Sequence, residues 1–167
     1  MTTISPLNES LAELCEAQFS TIGYHKPAGY FRNCLEQQSN GALMLFVAHE
    51  PGQYIGHVKL IWQPDYPPFR ASSIPEIQDL NVLPGYRQQG IGTALIAACE
   101  TLATTRSETI GIGVGLHPGY NAAQRLYPRL GYLLDGNGVH YHDQPVEEHA
   151  SYCFDDDLVI YFTKQLK

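Results

Sequence analysis

Residues 79–95 read DLNVLPGYRQQGIGTAL. A short apolar strand is followed by a Pro-Gly turn and by a second turn, with Gly90 and Gly92, that leads into an amphipathic helix. The first turn of a helix leaves backbone N–H groups unpaired and carries the positive end of the helix dipole. Because glycines lack a Cβ atom, an anion can approach those groups closely. The stretch therefore predicts a pyrophosphate-binding turn over residues 88–93.

Two common nucleotide-binding motifs are absent from this turn. No Gly-Lys-Ser/Thr follows it, as in a Walker A loop, and residues 90–95 read GIGTAL, which lacks the third glycine of a Rossmann fingerprint. Two alternatives stay open. The glycines could serve packing only, or the chain could be a nucleotide-binding α/β protein of another kind.

The segments around this stretch alternate between helix and strand patterns. The predicted helices cover residues 7–19, 30–38, 90–104 and 118–130, and the predicted strands cover residues 42–49, 54–62, 77–83, 109–116 and 158–162, with a further strand starting at Gly131. Residues 63–73 contain three prolines and are predicted to form an ordered loop. Helices interspersed with strands predict a layered α/β domain, and the early hairpin makes its sheet mixed.

Size and composition narrow the class of protein. The chain has 167 residues, which predicts a single domain over residues 1–167, and its 44% hydrophobic and 16% charged residues are typical of a globular protein. A net charge of −7 opposes binding to nucleic acid. No apolar stretch is long enough for a membrane and no signal peptide is visible, so a cytoplasmic location is expected.

A second stretch, residues 121–132, reads NAAQRLYPRLGY. Together with residues 79–95 it resembles motifs B and A of the GCN5-related N-acetyltransferase (GNAT) superfamily. Asn121, Gln124, Leu126, Tyr127, Gly131 and Tyr132 lie close to the pattern of motif B, which departs at Gln124, where the family pattern has alanine. The resemblance implies the GNAT fold, a single α/β domain with a mixed, centrally splayed β-sheet flanked by helices. It also allows a homodimer, since dimers are frequent in the family.

The resemblance implies that acetyl-CoA is the cosubstrate. The backbone of the strand over residues 80–82 would pair with its pantetheine arm, and the turn would hold its pyrophosphate. The implied cofactor-binding residues are Leu80, Asn81, Val82, Arg87, Gln88, Gln89, Gly90, Ile91, Gly92, Thr93 and Asn121. The backbone N–H of Val82 would face the thioester oxygen.

Two residues are the candidates for acid and base. A phenol is a fitting acid for a departing thiolate, and the resemblance places Tyr127 beside the thioester sulfur. Glu76, at the start of the strand that leads to the turn, is the candidate base. The alternatives are a core tyrosine and a surface carboxylate, and Asp79 is a rival base on the opposite face of the strand.

These residues favour an N-acetyltransferase in which a primary amine attacks acetyl-CoA directly in a ternary complex. A non-catalytic acyl-CoA-binding sensor is the alternative. Residues 63–73 and 135–157 are expected to determine the acceptor, and Tyr24, Tyr30, Tyr66 and Phe69 could line its pocket.

No metal site is predicted. The four cysteines are widely spaced and include no C-x-x-C pair. His140 and His142 are expected on one face of a strand, but a metal would need further ligands. Residues 155–157, three aspartates, are predicted to form a solvated turn, with selection of a cationic substrate as the alternative.

Overall fold

The computed structural model describes residues 1–19 and 26–166. Its helices and strands are, in chain order, β1 (Thr3–Pro6), α1 (Glu9–Phe19), α2 (Tyr30–Ser39), β2 (Leu43–Glu50), β3 (Gln53–Ile61), α3 (Pro67–Ala71), β4 (Glu76–Val82), α4 (Ile91–Ala103), β5 (Thr109–Gly115), α5 (Asn121–Arg129), β6 (Leu133–Tyr141), β7 (Gln144–Pro145) and β8 (Leu158–Gln165). Short 3₁₀ turns at Pro84–Tyr86 and Pro118–Tyr120 precede α4 and α5.

The chain forms two compact units. The first comprises residues 1–61 and 78–102, and the second comprises residues 62–77 and 103–167. Strand β4 contributes its first two residues to the second unit and its remaining residues to the first. One domain over residues 1–167 stays a prediction.

In the first unit, β1, β2 and β3 form an antiparallel sheet, and β4 lies next to β3. Helix α1 begins after Asn8, whose side chain caps it by accepting the Leu11 N–H at 2.9 Å. Glu16 of α1 accepts the Phe31 N–H at 2.7 Å and so ties α1 to the start of α2. The apolar spacing in α1 is confirmed, since its inward residues join one buried core: Leu7, Leu11, Ala12, Cys15, Phe19, Phe31, Cys34, Leu43, Leu45, Val47 and Tyr54.

In the second unit, β5 pairs antiparallel with β8, which pairs antiparallel with β6. The start of β4 pairs with β5 in parallel through Glu76↔Gly111 and Ile77↔Ile112. The mixed sheet expected from the sequence is therefore confirmed.

The alternating glycines of β5 make room for aromatic rings. A Cβ atom at Gly111 would overlap the Phe69 ring, and one at Gly113 would lie 2.8 Å from the Tyr161 ring. A Cβ atom at Gly115 would overlap the Tyr120 ring. These distances are far below normal contact distances, so larger residues would displace the rings.

Three local differences from the sequence-based expectation stand out. Residues 63–73 are not wholly a loop, because Pro67 and Pro68 occupy the first turn of α3, where a missing N–H costs nothing. Strand β1 and the two-residue β7 were not predicted, since segments this short carry little pattern.

None of the helices within residues 1–19 and 26–166 has the length and apolar character needed to cross a membrane.

Candidate functional site

The turn over residues 88–93 opens helix α4. Gln88 and Gly90 both have positive φ, 61° and 81°, and the first hydrogen bond of the helix runs from the Ala94 N–H to the Gly90 oxygen at 3.0 Å. Among the described residues, the backbone N–H groups of residues 88–93 have no acceptor. A Cβ atom built on Gly90 meets nothing within 4 Å, so open space lies beside the turn. Unpaired donors at a helix start with free space in front fit a diphosphate.

Two side chains brace this turn. The Arg87 Nε donates to the Val82 oxygen at 2.9 Å, and the Gln89 Nε2 donates to the Gly85 oxygen at 3.1 Å. Both hydrogen bonds lie within the first unit and join the turn to the end of β4 and to the preceding 3₁₀ turn. The predicted cofactor-binding residues 80–82 and 87–93 are thus brought together in one unit.

A buried polar network surrounds Asp79 in the same unit. Its carboxylate accepts hydrogen bonds from the Lys26 Nζ at 2.6 Å, the His57 Nε2 at 3.0 Å, the Asn81 Nδ2 at 2.8 Å, and the Tyr30 hydroxyl. Burial opposes the ionisation of Asp79, but the hydrogen bonds from His57, Lys26 and Tyr30 outweigh it and hold the carboxyl pKa far below its usual value. A carboxylate so strongly stabilised is a weak base, which disfavours Asp79 as a proton acceptor.

Glu76 lies in the second unit and is only 4% exposed. The alternative of a surface carboxylate is therefore wrong, because Glu76 is buried where β4 pairs with β5. Its charge contributes, after burial, to raising the pKa values of Tyr66 and Tyr161. Those two rings stack at 3.6 Å, and the His140 ring meets Tyr66 edge-on at 4.8 Å. Glu76 thus belongs to a buried aromatic cluster.

The hydroxyls of this cluster bind aspartates of the β6–β7 region. The Tyr66 hydroxyl donates to Asp135 Oδ2 at 2.7 Å, and the Tyr161 hydroxyl donates to Asp143 Oδ1 at 2.5 Å. Tyr161 and His140 were not singled out for this role from the sequence. The alternating glycines of β5 were the available signal, since a strand face without side chains must be filled by large groups from elsewhere.

Tyr127 lies on α5 in the second unit and is 5% exposed. Its ring is near Tyr132 and Phe162, and burial, followed by the nearby Tyr120, raises the pKa of its phenol. No partner for its hydroxyl is found in the described part of the chain, which also contains no buried polar side-chain atom without a partner. The raised pKa keeps the phenol protonated at neutral pH.

Asn121 is the first residue of α5 and is exposed. Its backbone oxygen accepts from the Arg125 Nε at 3.3 Å. Its contact with the pantetheine arm stays a prediction.

The histidine pair is arranged differently from the expectation. His140 is buried at the end of β6, whereas His142 lies in the following turn, with φ 48°, and is exposed. The two rings therefore do not share a strand face, because β6 ends at Tyr141 and the chain turns at His142 and Asp143. Within residues 1–19 and 26–166 no group of three metal-ligating side chains comes together.

The remaining residues proposed for the acceptor site lie in different parts of the fold. Tyr66 and Phe69 are core residues of the second unit, and Tyr30 contacts Asp79 in the first. Tyr24 lies outside the described residues. In the turn over residues 155–157, the Asp156 Oδ1 is 2.7 Å from the His117 Nε2, and this contact lowers the Asp156 pKa.

The first unit thus contains a helix start whose N–H groups fit a diphosphate, and the second unit contains the buried Glu76 and Tyr127. The chain belongs to the acetyltransferase (GNAT) family, whose model matches residues 8–132. No curated protein sequence matches the chain significantly.

Solved structures of acetyltransferases share the fold at low sequence identity. An N-acetyltransferase from Staphylococcus aureus Mu50 is 17% identical, with 100% of this chain and 99% of that chain covered and a TM-score of 0.70. Arabidopsis thaliana NAA60, solved with acetyl-CoA, is 18% identical over 99% of both chains, with a TM-score of 0.70. A chimera of the spermidine N-acetyltransferase SpeG from Vibrio cholerae and hSSAT is 17% identical over 99% and 95% of the chains, with a TM-score of 0.66. The GNAT fold expected from motifs A and B is confirmed.

Proposed function

We propose that this protein is an acetyl-CoA-dependent N-acetyltransferase that acetylates a primary amine by direct attack. The observation that carries the proposal is the row of backbone N–H groups over residues 88–93 that find no acceptor in the described part of the chain, at a helix start with open space beside Gly90. The family supplies the cosubstrate that such a turn fits. Acetyl-CoA, when bound, provides an acetyl group activated as a thioester.

The residues of the turn would hold the pyrophosphate, and the backbone of residues 80–82 would hold the pantetheine arm, with Asn121 as a further contact. The Val82 N–H would donate to the thioester carbonyl oxygen, where negative charge grows during attack. No covalent bond to the protein is needed, since the amine forms the new C–N bond as the C–S bond breaks.

Two proton transfers complete the reaction. Glu76 would accept the proton that the attacking amine loses, directly or through water, and Tyr127 would donate its phenolic proton to the departing sulfur. Its raised pKa keeps Tyr127 in the protonated form that this role requires. Both residues belong to the second unit.

The charge distribution supports a cationic amine as the acceptor. Residues 135–157 contain seven of the seventeen acidic residues and no lysine or arginine, so the remaining ten acidic residues equal the ten basic ones. The net charge of −7 is therefore concentrated in the segment that was expected to select the acceptor. Because one protein of the same fold is named for spermidine, polyamines belong among the amines tested first.

A panel of amines incubated with acetyl-CoA and the protein, followed by mass detection of acetylated product, tests the proposal. The panel contains polyamines, aminoglycosides, small amine metabolites and peptides with a free N-terminus. We expect catalytic transfer to at least one cationic amine. Tight binding of coenzyme A without transfer to any amine would favour the acyl-CoA-binding sensor, and preference for ATP over coenzyme A would reject the assignment.

A cytoplasmic location and a homodimer are part of the same proposal. Light scattering of the purified protein gives the assembly state, and fractionation of the source cells gives the location.

A further inference from the structure

Asp79 has an unusual backbone conformation for a strand residue. It lies in the middle of β4 with φ 55°, in the left-handed region that residues with a Cβ atom rarely adopt. Such a conformation is unfavourable and persists only where surrounding contacts impose it.

The contacts that hold it come from three directions. His57 reaches the carboxylate from β3, Tyr30 from α2, and Lys26 from the segment before α2. Asn81, two residues along β4 itself, supplies the fourth donor. These donors occupy both carboxylate oxygens, and Lys26 forms a salt bridge with the carboxylate.

His57 is fixed in turn by Tyr54. The Tyr54 hydroxyl lies 2.6 Å from His57 Nδ1, while His57 Nε2 lies 3.0 Å from Asp79. Burial lowers the His57 pKa, so the ring is neutral and only one nitrogen carries a proton. The arrangement that satisfies both contacts has Tyr54 donating to Nδ1 and Nε2–H donating to Asp79. The ring is enclosed by Phe19 and Phe31 at 5.6 and 5.2 Å, which excludes water from this chain of hydrogen bonds.

The backbone beyond Asp79 shows the consequence. A left-handed residue rotates the peptide groups that follow it away from the directions they have in a regular strand. In β4 the Asn81 oxygen approaches β3 so closely that a Cβ atom at Gly56 would overlap it, and Gly56 is what permits the approach. The residues so displaced are Leu80, Asn81 and Val82, the ones assigned to the pantetheine arm and the thioester oxygen.

We propose that Asp79 is a positioning residue for acetyl transfer, and that its tether to His57, Tyr30 and Lys26 fixes the left-handed turn that orients the backbone of residues 80–82 toward acetyl-CoA. The inference rests on the proposed function. Asp79 does not exchange protons with the substrates; it acts through the backbone. It differs in this from Glu76, the assigned base.

Three substitutions at one position separate this role from its rivals. Asp79→Asn keeps the size and tolerates positive φ. Its amide oxygen, in the place of Oδ1, can accept from Lys26, while its amide nitrogen, in the place of Oδ2, can donate to the Tyr30 hydroxyl oxygen and to His57 in its other tautomer. Asp79→Gly keeps the conformation accessible but removes the tether. Asp79→Val removes the tether and, because its side chain is β-branched, disfavours positive φ.

We expect Asp79→Asn to stay within about fivefold of the wild type in kcat/KM for acetyl-CoA and in calorimetric affinity for coenzyme A, because the tether is kept. If Asp79 were instead the general base, this substitution would lower kcat/KM by about 10²- to 10⁴-fold. We expect Asp79→Val to lose about 10- to 100-fold in both quantities, since misplacement of the backbone of residues 80–82 by about 1 Å has this effect. We expect Asp79→Gly to fall between Asp79→Asn and Asp79→Val. Circular dichroism and thermal melting check that each variant is folded. If Asp79→Val does not fold, the comparison of Asp79→Asn with Asp79→Gly tests the inference. Both variants tolerate the left-handed conformation, but only Asp79→Asn keeps the tether, so it should have the higher kcat/KM and affinity.

Two results would overturn the inference. One is an Asp79→Asn variant that binds coenzyme A as the wild type does but no longer turns over, which makes Asp79 the base. The other is Asp79→Gly with unchanged affinity and turnover, which makes the tether irrelevant. The proposed function fails separately, if the wild type acetylates no amine; the coenzyme A affinities of the three variants still decide whether the tether orients the backbone.

Discussion

Tyr127 is buried and its raised pKa keeps the phenol protonated, as its proposed role as the acid requires. Tyr127→Phe removes the oxygen and keeps the ring. We expect turnover to fall by about 10²- to 10⁴-fold, the usual contribution of a general acid, with coenzyme A affinity unchanged. The measurements are steady-state kinetics and calorimetry. Equal turnover of the variant across pH would remove Tyr127 from the mechanism.

Glu76 is the second residue whose chemistry a single substitution tests. Glu76→Gln keeps the shape of the side chain but cannot accept the amine proton, so turnover should fall by about 10²-fold or more if Glu76 is the base. The matched control is Glu108→Gln, which changes an exposed glutamate in the same unit and should leave turnover unchanged. A turnover within twofold of the wild type at saturating amine would show that water or an already neutral amine serves instead.

The sequence singled out Tyr127 and Glu76, whose catalytic roles stay predictions. Their positions followed from motif spacing, which fixes where a residue falls on a helix or strand. The burial of Glu76 did not follow from motif spacing, because its partner strand β5 lies about 35 residues further along the chain. The left-handed conformation of Asp79 was not predictable at all, because it is imposed by partners such as His57 that lie about twenty residues away in the sequence.

At the level of elements, the start of α4 is the part of the fold on which the proposal depends most. Gly92 lies in the first helical turn, where a glutamate is favourable for the helix dipole. Gly92→Glu should therefore fold, yet it would place a negative charge beside the diphosphate. We expect coenzyme A affinity to fall by about 10- to 100-fold, that is about 1.4 to 2.8 kcal/mol.

Gly92→Gln is the control for this change, since it adds the same bulk without the charge. Calorimetric titration of both variants separates the two effects. A smaller loss of coenzyme A affinity in Gly92→Gln than in Gly92→Glu indicates charge repulsion by the introduced carboxylate. If neither variant binds more weakly than the wild type, the diphosphate lies elsewhere.

Strand β5 supports a second prediction at this scale. Gly111→Ala should destabilise the protein by about 1–3 kcal/mol, because the added methyl group overlaps the Phe69 ring and the core must shift. Adding Phe69→Leu, which removes the outer ring atoms, should restore part of the loss. Urea denaturation of the two single variants and the double variant measures the coupling. Strictly additive losses would show that the ring and the methyl group do not compete.

The elements themselves were largely predictable, because helices such as α1 and α4 and strands such as β2 have clear apolar periodicity. The exceptions were β1, α3 and β7. Each has five residues or fewer, and each depends on a partner or on proline at a helix start rather than on periodicity. The order of the long elements was sufficient for the fold class, whereas the short ones had to be seen in the structure.

For the molecule as a whole, the tether around Asp79 predicts how stability depends on pH. His57 and Asp79 both have folded-state pKa values below their usual ones. As pH falls, the unfolded chain therefore binds protons that the folded chain does not, first at His57 below about pH 6.5 and then at Asp79 below about pH 4. Their contribution is complete near neutral pH and is lost on acidification.

Between pH 7.5 and 5.5 the titrating side chains are mainly histidines, since carboxylates titrate mainly below this range. We expect the free energy of unfolding to decrease across this window, with a slope that approaches about 1.4 kcal/mol per pH unit for each proton bound only by the unfolded chain. His57→Phe fits the aromatic surroundings of Phe19 and Phe31 and cannot be protonated, so its slope should be shallower. Urea denaturation followed by circular dichroism, which reports on both units, gives the slopes. Identical slopes in the two proteins would mean that the acid sensitivity arises outside the tether, at other histidines of the chain.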